Sequence, residues 1–263
     1  MTVEVARVTP EWLVLRQPAD AAARSAELAA RLARHLPTGG ELVIHDLGGG
    51  SGAMGRWLAS RLPGPQHWVV HDRDADLLKL AIAGAPGPAA DGSDATVETR
   101  RSDVTRLTPR DLAGASLVTA SALLDLLTAD ELDRMLHACR GRATFLTLTV
   151  TGRVTLSPAD PLDTRVGAAF NDHQRRAGLL GPDAVAAIGA LGGELFVRPS
   201  PWRLDSDHAG LAAEWLRGWV AAACEQEPAL AAEAGPYLER RLAQAAAGEL
   251  AVTVDHADLL VLP

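Results

Sequence analysis

Along the first 150 residues, short apolar runs closed by turn residues alternate with segments of helical spacing. Glu41–Leu47, His67–His71, Ser116–Ala120 and Ala143–Val150 are too short for helices and rich in Val, Leu and Thr, so they predict strands. Thr96–Arg101 predicts a shorter strand leading into Ser102 and Asp103. Between them, Ala53–Leu62, Asp74–Ala85 and Asp130–Cys139 predict helices. Upstream, Ala19–Leu36 reads as one helix, stopped by Pro37, Gly39 and Gly40. This alternation predicts βαβ units, an α/β fold and a parallel sheet covered on both faces by right-handed connections.

The rhythm changes after Thr151. Pro158 and Pro161 mark a loop, and 165–180 predicts a helix or a partly ordered cover. Residues 181–193 predict a helix with Pro182 in its first turn. One strand follows at 194–204, then two helices at Ala209–Cys224 and Ala229–Ala247. Ala251–Leu262 predicts a final strand, apolar enough to lie inside the sheet.

Composition sharpens this only in part. Apolar residues make up 48% of the 263, enough for a sizeable core. A formal net charge of -8 argues against nucleic acid or an anionic membrane as partner, the local pair Arg175–Arg176 aside. Cys139 and Cys224 are the only cysteines and show no C-x-x-C spacing, so no metal is expected. No signal peptide and no run of about 18 apolar residues stands out, which predicts a soluble, cytoplasmic chain. Lys79 is the only lysine among many arginines, and with the abundant Ala this suggests a GC-rich bacterial source.

The candidate chemistry concentrates in "VIHDLGGGSGAMG", Val43–Gly55, where Gly48, Gly49, Gly50 and Gly52 fall within five residues. Glycine is costly to order, so four at one strand-to-helix turn point to a ligand lying against the backbone. Two patterns overlap there. Gly50–Gly55 matches the dinucleotide pattern G-x-G-x-x-G. Asp46–Gly52 matches acid-x-G-x-G-x-G, with the acid at the end of a strand. Asp72 ends the second strand 20 residues after Gly52. A carboxylate there accepts two hydrogen bonds from ribose hydroxyls under either pattern, and locally it also reads as a helix N-cap.

The second pattern resembles motif I of the class I S-adenosylmethionine-dependent methyltransferases, and three further segments follow in that family's order. "VVHDRDADLL" is similar to the second motif, "RRSDVTRL" to the adenine-contacting segment, and Ala120–Ser121 to the strand end that lines the methionine part. The resemblance covers Glu41–Val150 and implies S-adenosyl-L-methionine as cofactor, with S-adenosyl-L-homocysteine as product. It implies that Asp46 receives the ammonium group, directly or through water, and that Gly48, Gly50 and Gly52 admit the carboxylate and ribose. It further implies Asp72 on the ribose, Arg73 along the adenine, Asp103 and the Val104 N–H on the adenine edge, and Ser121 beside the methionine. Arg24 is expected either to pair with the methionine carboxylate or to be an ordinary surface arginine. The family usually has Cys or Ala in place of Gly49, Thr in place of Ser51 and often Gly in place of Ser102.

The implied fold is a doubly wound, mainly parallel, seven-stranded Rossmann-like sheet with a reversed C-terminal strand, set here behind a helical insertion. One domain is expected over 1–263: a helical extension at 1–40, a cofactor-binding half at 41–150, and a substrate-side half at 151–263 with a helical cap near 205–248.

Substrate candidates are read from the residues alone. "FNDHQRR" is the densest polar cluster, with His173 as a general base and Asn171, Gln174 and Arg175 orienting a polar substrate, against the reading of a solvated helix face. Asp125 either faces the substrate or is an acid at a helix start. Trp202 and Arg203 read as a substrate wall and an anion contact, or Trp202 as a core aromatic. The expected reaction is methyl transfer to an O, N or C atom of a small-molecule metabolite, helped mainly by in-line alignment. A monomer or homodimer with no nucleic-acid or membrane partner is expected. Two rivals stand beside it. One is an NAD(P)-dependent oxidoreductase using Gly50–Gly55, for which no Tyr-x-x-x-Lys pair exists, Tyr237 being the only tyrosine. The other is a repurposed relative that binds the cofactor without methylating.

Overall fold

The computed structural model describes residues 9–188 and 193–263. Its centre is an eight-stranded sheet in the order β3-β2-β1-β4-β5-β8-β6, with the short β7 pairing β8 off that path. The strands are β1 (Leu42–Leu47), β2 (Gln66–Asp72), β3 (Ala95–Arg101), β4 (Leu117–Ser121), β5 (Ala143–Ser157), β6 (Glu194–Pro199), β7 (Trp202–Leu204) and β8 (Ala251–Leu262). β1 to β5 run parallel, and β8 is antiparallel to β5, β6 and β7. This is the mainly parallel Rossmann-like sheet with a reversed last strand. The count is eight rather than seven, because Ser200 and Pro201 split the single strand expected over 194–204 into β6 and β7.

The central strands are buried on both faces, so each strand serves two cores through its alternate residues. Leu117, Phe145 and Leu260 join Trp57, Leu58, Leu28 and Leu32 on one face. Val118, Leu146, Leu259 and Val261 join Leu132, Met135 and Leu136 on the other. The helices supplying these faces are α2 (Ala26–His35), α3 (Ala53–Leu58) and α5 (Ala129–Cys139), while α4 (Ala75–Ala83) covers β2 with Leu78 and Ala81 against Val70. Each fully buried Leu contributes roughly 1.5–3 kcal/mol.

The N-terminal segment is two helices rather than one. α1 (Pro10–Ala23) starts at Thr9, whose side chain accepts from the Trp12 N–H, with Pro10 at its first position. The helix breaks at Arg24, which is extended (φ -56, ψ 138), and Ser25 caps α2 by accepting from the Leu28 N–H. The Ser25 N–H donates at 2.7 Å to Asp258 Oδ2 on β8. The other Asp258 oxygen accepts at 2.8 Å from the N–H of Leu148. Leu148 is a left-handed residue (φ 56) where β5 slips register against β8. One buried carboxylate therefore fixes both the α1–α2 break and the bulge.

Three further helices, α6 (Asp163–Gln174), α7 (Ala209–Gln226) and α8 (Ala231–Ala246), pack with Trp202, Val252 and Val254 in a third core. Buried Arg241 donates twice to Asp163 at 2.6 Å, and Tyr237 Oη donates to the same carboxylate, which ties α8 to α6. The helix expected over 181–193 is absent among the described residues, where Gly181–Asp183 and Ala186–Ile188 form single 3-10 turns. Tertiary contacts override the helical pattern there: Leu179 bridges Thr128, and the Leu180 N–H donates to the Leu127 carbonyl at 2.8 Å. No helix among the described residues is long and apolar enough to cross a membrane.

Candidate active site

β1 and β4 are neighbours, with Leu47 opposite Ala120, so the glycine turn and the end of β4 share one edge of the sheet at its switch point. Gly48 (φ 63), Gly50 (φ 54) and Gly52 (φ 78) are left-handed, a region that glycine enters without strain. Gly49 is a glycine for another reason. A Cβ there would lie 2.4 Å from Asp46 Oδ2 and 2.8 Å from Val70 Cγ1, so the Cys or Ala usual in the resembling family has no room.

Asp46 is fully buried at the end of β1. Its Oδ1 accepts from Thr119 Oγ1 at 2.7 Å, while Oδ2 has no partner. Burial pushes the carboxyl up to about 7, against the bond from Thr119 and the nearby charge of Arg24. Thr119 was not singled out in the sequence; its register opposite Asp46 is the only signal for it, and that needs the strand pairing.

Arg24, at the α1–α2 break, is 5% exposed. Its Nη2 donates to Ser121 Oγ at 3.1 Å, and its Nε and Nη1 are buried without a partner. Burial lowers its pKa, although Asp20, Asp258 and Asp46 lie close enough to oppose the shift. With Gln17, Ala21, Ala53, Arg56, Trp57 and Arg61 it lines a cavity of about 160 Å³ between α1 and α3. Arg56 spans that cavity's wall, donating to the Ser51 carbonyl, to Ser51 Oγ and to Gln17 Oε1.

Asp72 binds the turn itself. Its Oδ2 accepts from the Gly50 N–H and its Oδ1 from the Asp74 N–H, both at 2.9 Å. Asp74, not Asp72, caps α4. Arg73 is exposed and accepts Arg101 Nε at its carbonyl. Asp103 begins a 3-10 turn that contains buried Val104. Partial burial works to raise the Asp103 pKa, but two bonds from Thr105 and the charges of Arg106 and Arg73 hold it below the usual range. Ser102 Oγ lies 3.0 Å from His71 Nδ1, and His71 Nε2 lies 2.9 Å from His45 Nδ1. Burial pulls both histidines down to about 4, so this stack under Asp72 and Ser102 is neutral.

The loop after β4 carries Leu123 onto Gly48, where a Cβ would meet its Cδ1 at 3.0 Å. Two residues later Asp125 enters a cavity of about 190 Å³, lined also by Leu126, Phe170, His173, Gln174, Arg176, Leu179 and Ala222. The structure therefore brings Asp125, His173 and Gln174 together. His173 Nε2 faces Glu225 Oε2 at 2.9 Å, and its Nδ1 faces Arg176 Nη1 at 2.7 Å. A guanidinium only donates, so Nδ1 is the acceptor and its lone pair is committed.

Other candidates lie elsewhere. Asn171 donates to the Gly152 carbonyl at 2.8 Å and supports the β5 turn. Arg175 is held by Asp183 and Asp172, and Arg203 is exposed on β7. Trp202 is buried, and its Nε1 donates at 2.9 Å to Asp20 Oδ1. The Arg16 guanidinium stacks 4.9 Å from the Trp202 ring and donates twice to Asp20. These contacts clamp α1 over the sheet edge, where Leu13 Cδ1 stands 3.7 Å from a Cβ built on Gly50. The sequence gives no sign that α1 covers the turn.

No protein-family model and no curated protein matches the chain in sequence. Solved structures resemble it. A SAM-dependent methyltransferase from Geobacter sulfurreducens, in complex with S-adenosyl-L-homocysteine, is 18% identical, with 97% of this chain and 98% of that one covered and a TM-score of 0.47. One from Thiobacillus denitrificans, also with S-adenosyl-L-homocysteine, is 16% identical over 98% and 100%, with a TM-score of 0.47. A cyclopropane synthase from Mycobacterium tuberculosis is 13% identical over 97% and 95%, with a TM-score of 0.48.

Proposed function

We propose that this chain binds S-adenosylmethionine across the glycine turn and transfers its methyl group to a small molecule. The observation that carries this reading is the pair Arg24 and Asp46. A buried cation with two unpartnered nitrogens and a buried carboxyl with one unpartnered oxygen flank one strand switch point. The two leave unmet the donors and acceptor that an α-amino acid's carboxylate and ammonium would satisfy. An NAD pyrophosphate would leave the Asp46 oxygen without a donor.

When bound, S-adenosylmethionine supplies an electrophilic methyl on a sulfonium. Arg24 and Ser121 hold the carboxylate, Asp46 the ammonium and Asp72 the ribose, each carboxylate oxygen of Asp72 keeping a lone pair beyond its backbone bond. Asp103 and the Val104 N–H serve the adenine edge, with Arg73 beside it. The acceptor enters the cavity of Asp125, Phe170 and His173, which the loop from Ser121 connects to the turn. Leu123 on Gly48 and α1 above Gly50 exclude water from the space between.

Titration of the protein with S-adenosylmethionine, S-adenosylhomocysteine and NAD, beside Asp72→Ala, tests this. Micromolar binding of the first two, weakened at least tenfold in the variant, is expected. Binding of NAD alone overturns the reading.

A further inference from the structure

The cavity below the β4 loop has an unusual balance. Its walls include Leu126, Phe170, Leu179 and Ala222. Two of its polar residues carry acceptor atoms that are buried and unpartnered: Asp125 Oδ1 and Gln174 Oε1. The cations near it also make bonds to the protein. Arg176 donates to His173 Nδ1 and to the His173 carbonyl, and Arg16 donates to Asp20. His173 directs its remaining nitrogen to Glu225. The cavity thus holds two buried acceptors without partners beside an aromatic ring.

A buried acceptor without a donor costs about 1–3 kcal/mol, and more when it is charged. A ligand that brings several N–H donors on one positively charged atom recovers that cost at both oxygens. Its charge offsets a carboxylate in an apolar wall. A hydroxyl brings one donor and no charge, and a carboxylate brings none.

Resting on the reading of this cavity as the acceptor site, we propose that it selects a small amine, held as its ammonium between Asp125 Oδ1 and Gln174 Oε1 with its apolar body against Phe170 and Leu179. The acceptor atom of the transfer is then nitrogen: the ammonium gives one proton to the Asp125 carboxylate, and the lone pair so freed takes the methyl as its carbon–sulfur bond breaks and leaves the thioether. Burial already lifts the Asp125 carboxyl to about 6, with Arg16 opposing. His173 and Arg176 from the α6 end and Glu225 from α7 are the other titratable or charged groups named around the cavity. An arriving ammonium lowers that pKa again, so binding near pH 6 releases protons from Asp125.

The test is calorimetry with benzylamine, benzyl alcohol and benzoate, each with and without S-adenosylhomocysteine. Measurements at pH 6 in two buffers of different ionisation enthalpy count the protons released. Expected is binding of benzylamine at least tenfold tighter than of the alcohol, with proton release. Asp125→Asn should abolish the release and weaken binding at least tenfold. Gln174→Met should weaken binding several-fold and keep the release, and it carries the test if Asp125→Asn fails to fold. Equal binding of amine and alcohol, or amine binding indifferent to both substitutions, overturns the proposal. Binding of S-adenosylhomocysteine with no amine binding overturns it while leaving the cofactor reading intact. Amine binding without any binding of S-adenosylhomocysteine supports the cavity's selectivity and removes the cofactor reading.

Discussion

Arg24 Nη2 donates to Ser121 Oγ across 3.1 Å, which joins the break between the first two helices to the last residue of β4. The remaining N–H groups of that guanidinium are buried and unpartnered. A cation in this state is a cost to the folded protein and an asset to a carboxylate ligand.

Arg24→Met is therefore expected to weaken S-adenosylhomocysteine binding by roughly 10–100-fold, the worth of a charge-assisted hydrogen-bonded pair. The melting temperature without ligand should stay level or rise. Calorimetric titration and thermal melting of the same sample check both. A fall in stability with unchanged affinity would show that the arginine serves only the helix break.

Asp46 sets a pH dependence of definite sign. Its carboxyl rises from 3.8 to about 7 on folding. Between these values the unfolded chain has lost the proton and the native one keeps it. The native state then binds more protons, and stability falls as pH rises from about 4 to about 7, then levels off. Asp46→Asn removes this share. Relative to the parent, the variant should gain on the order of 3 kcal/mol between pH 4 and pH 8, read by urea unfolding at both. A constant difference between the two proteins would contradict the assignment.

Gly49→Ala should be the most damaging single change in the turn although Gly49 is not left-handed. The new methyl meets the Asp46 carboxylate and Val70, and neither is the end of a flexible chain. A loss of about 2–3 kcal/mol is expected, as for overpacked cores. Gly50→Ala, where a Cβ makes only ordinary contacts but φ is 54, should cost about 1 kcal/mol. Melting curves that rank the two in the opposite order would refute the packing argument.

Asp20→Asn loosens α1. Asp20 accepts twice from Arg16 and once from Trp202, and the amide can replace only part of this. Amide exchange over residues 10–23 should quicken about tenfold while β1 and β4 keep their protection. Uniform acceleration would mean that α1 does not open separately.

The parallel strands could be read from the chain because their apolar runs are continuous, as burial on both faces requires. Asp46 and Asp72 were legible for a related reason: each closes such a run, next to or in step with the glycines. The break at Arg24 and Ser25 was not, since its cause is a carboxylate 233 residues away. Over the described residues 181–188 the helical pattern misled because Leu180 is bonded to the Leu127 carbonyl. His173 looked like a free base in sequence, and its partner Glu225 sits on the predicted helix α7, whose place beside α6 no local pattern announces. Gly49, where the resembling family usually has Cys or Ala, is fixed by an atom of Asp46 beneath it.

The place of β8 between β5 and β6 also bears on how the protein is made. β5 is complete at Ser157, while its antiparallel partner begins only at Ala251. At about 5–20 residues per second, the growing chain waits roughly 5–20 s with that edge unpaired. An open strand edge is a template for the wrong neighbour. Ribosome-bound chains halted before Ala251 should therefore be cut by protease within β5 and held by chaperones, and chains released from the ribosome with β8 complete should escape both.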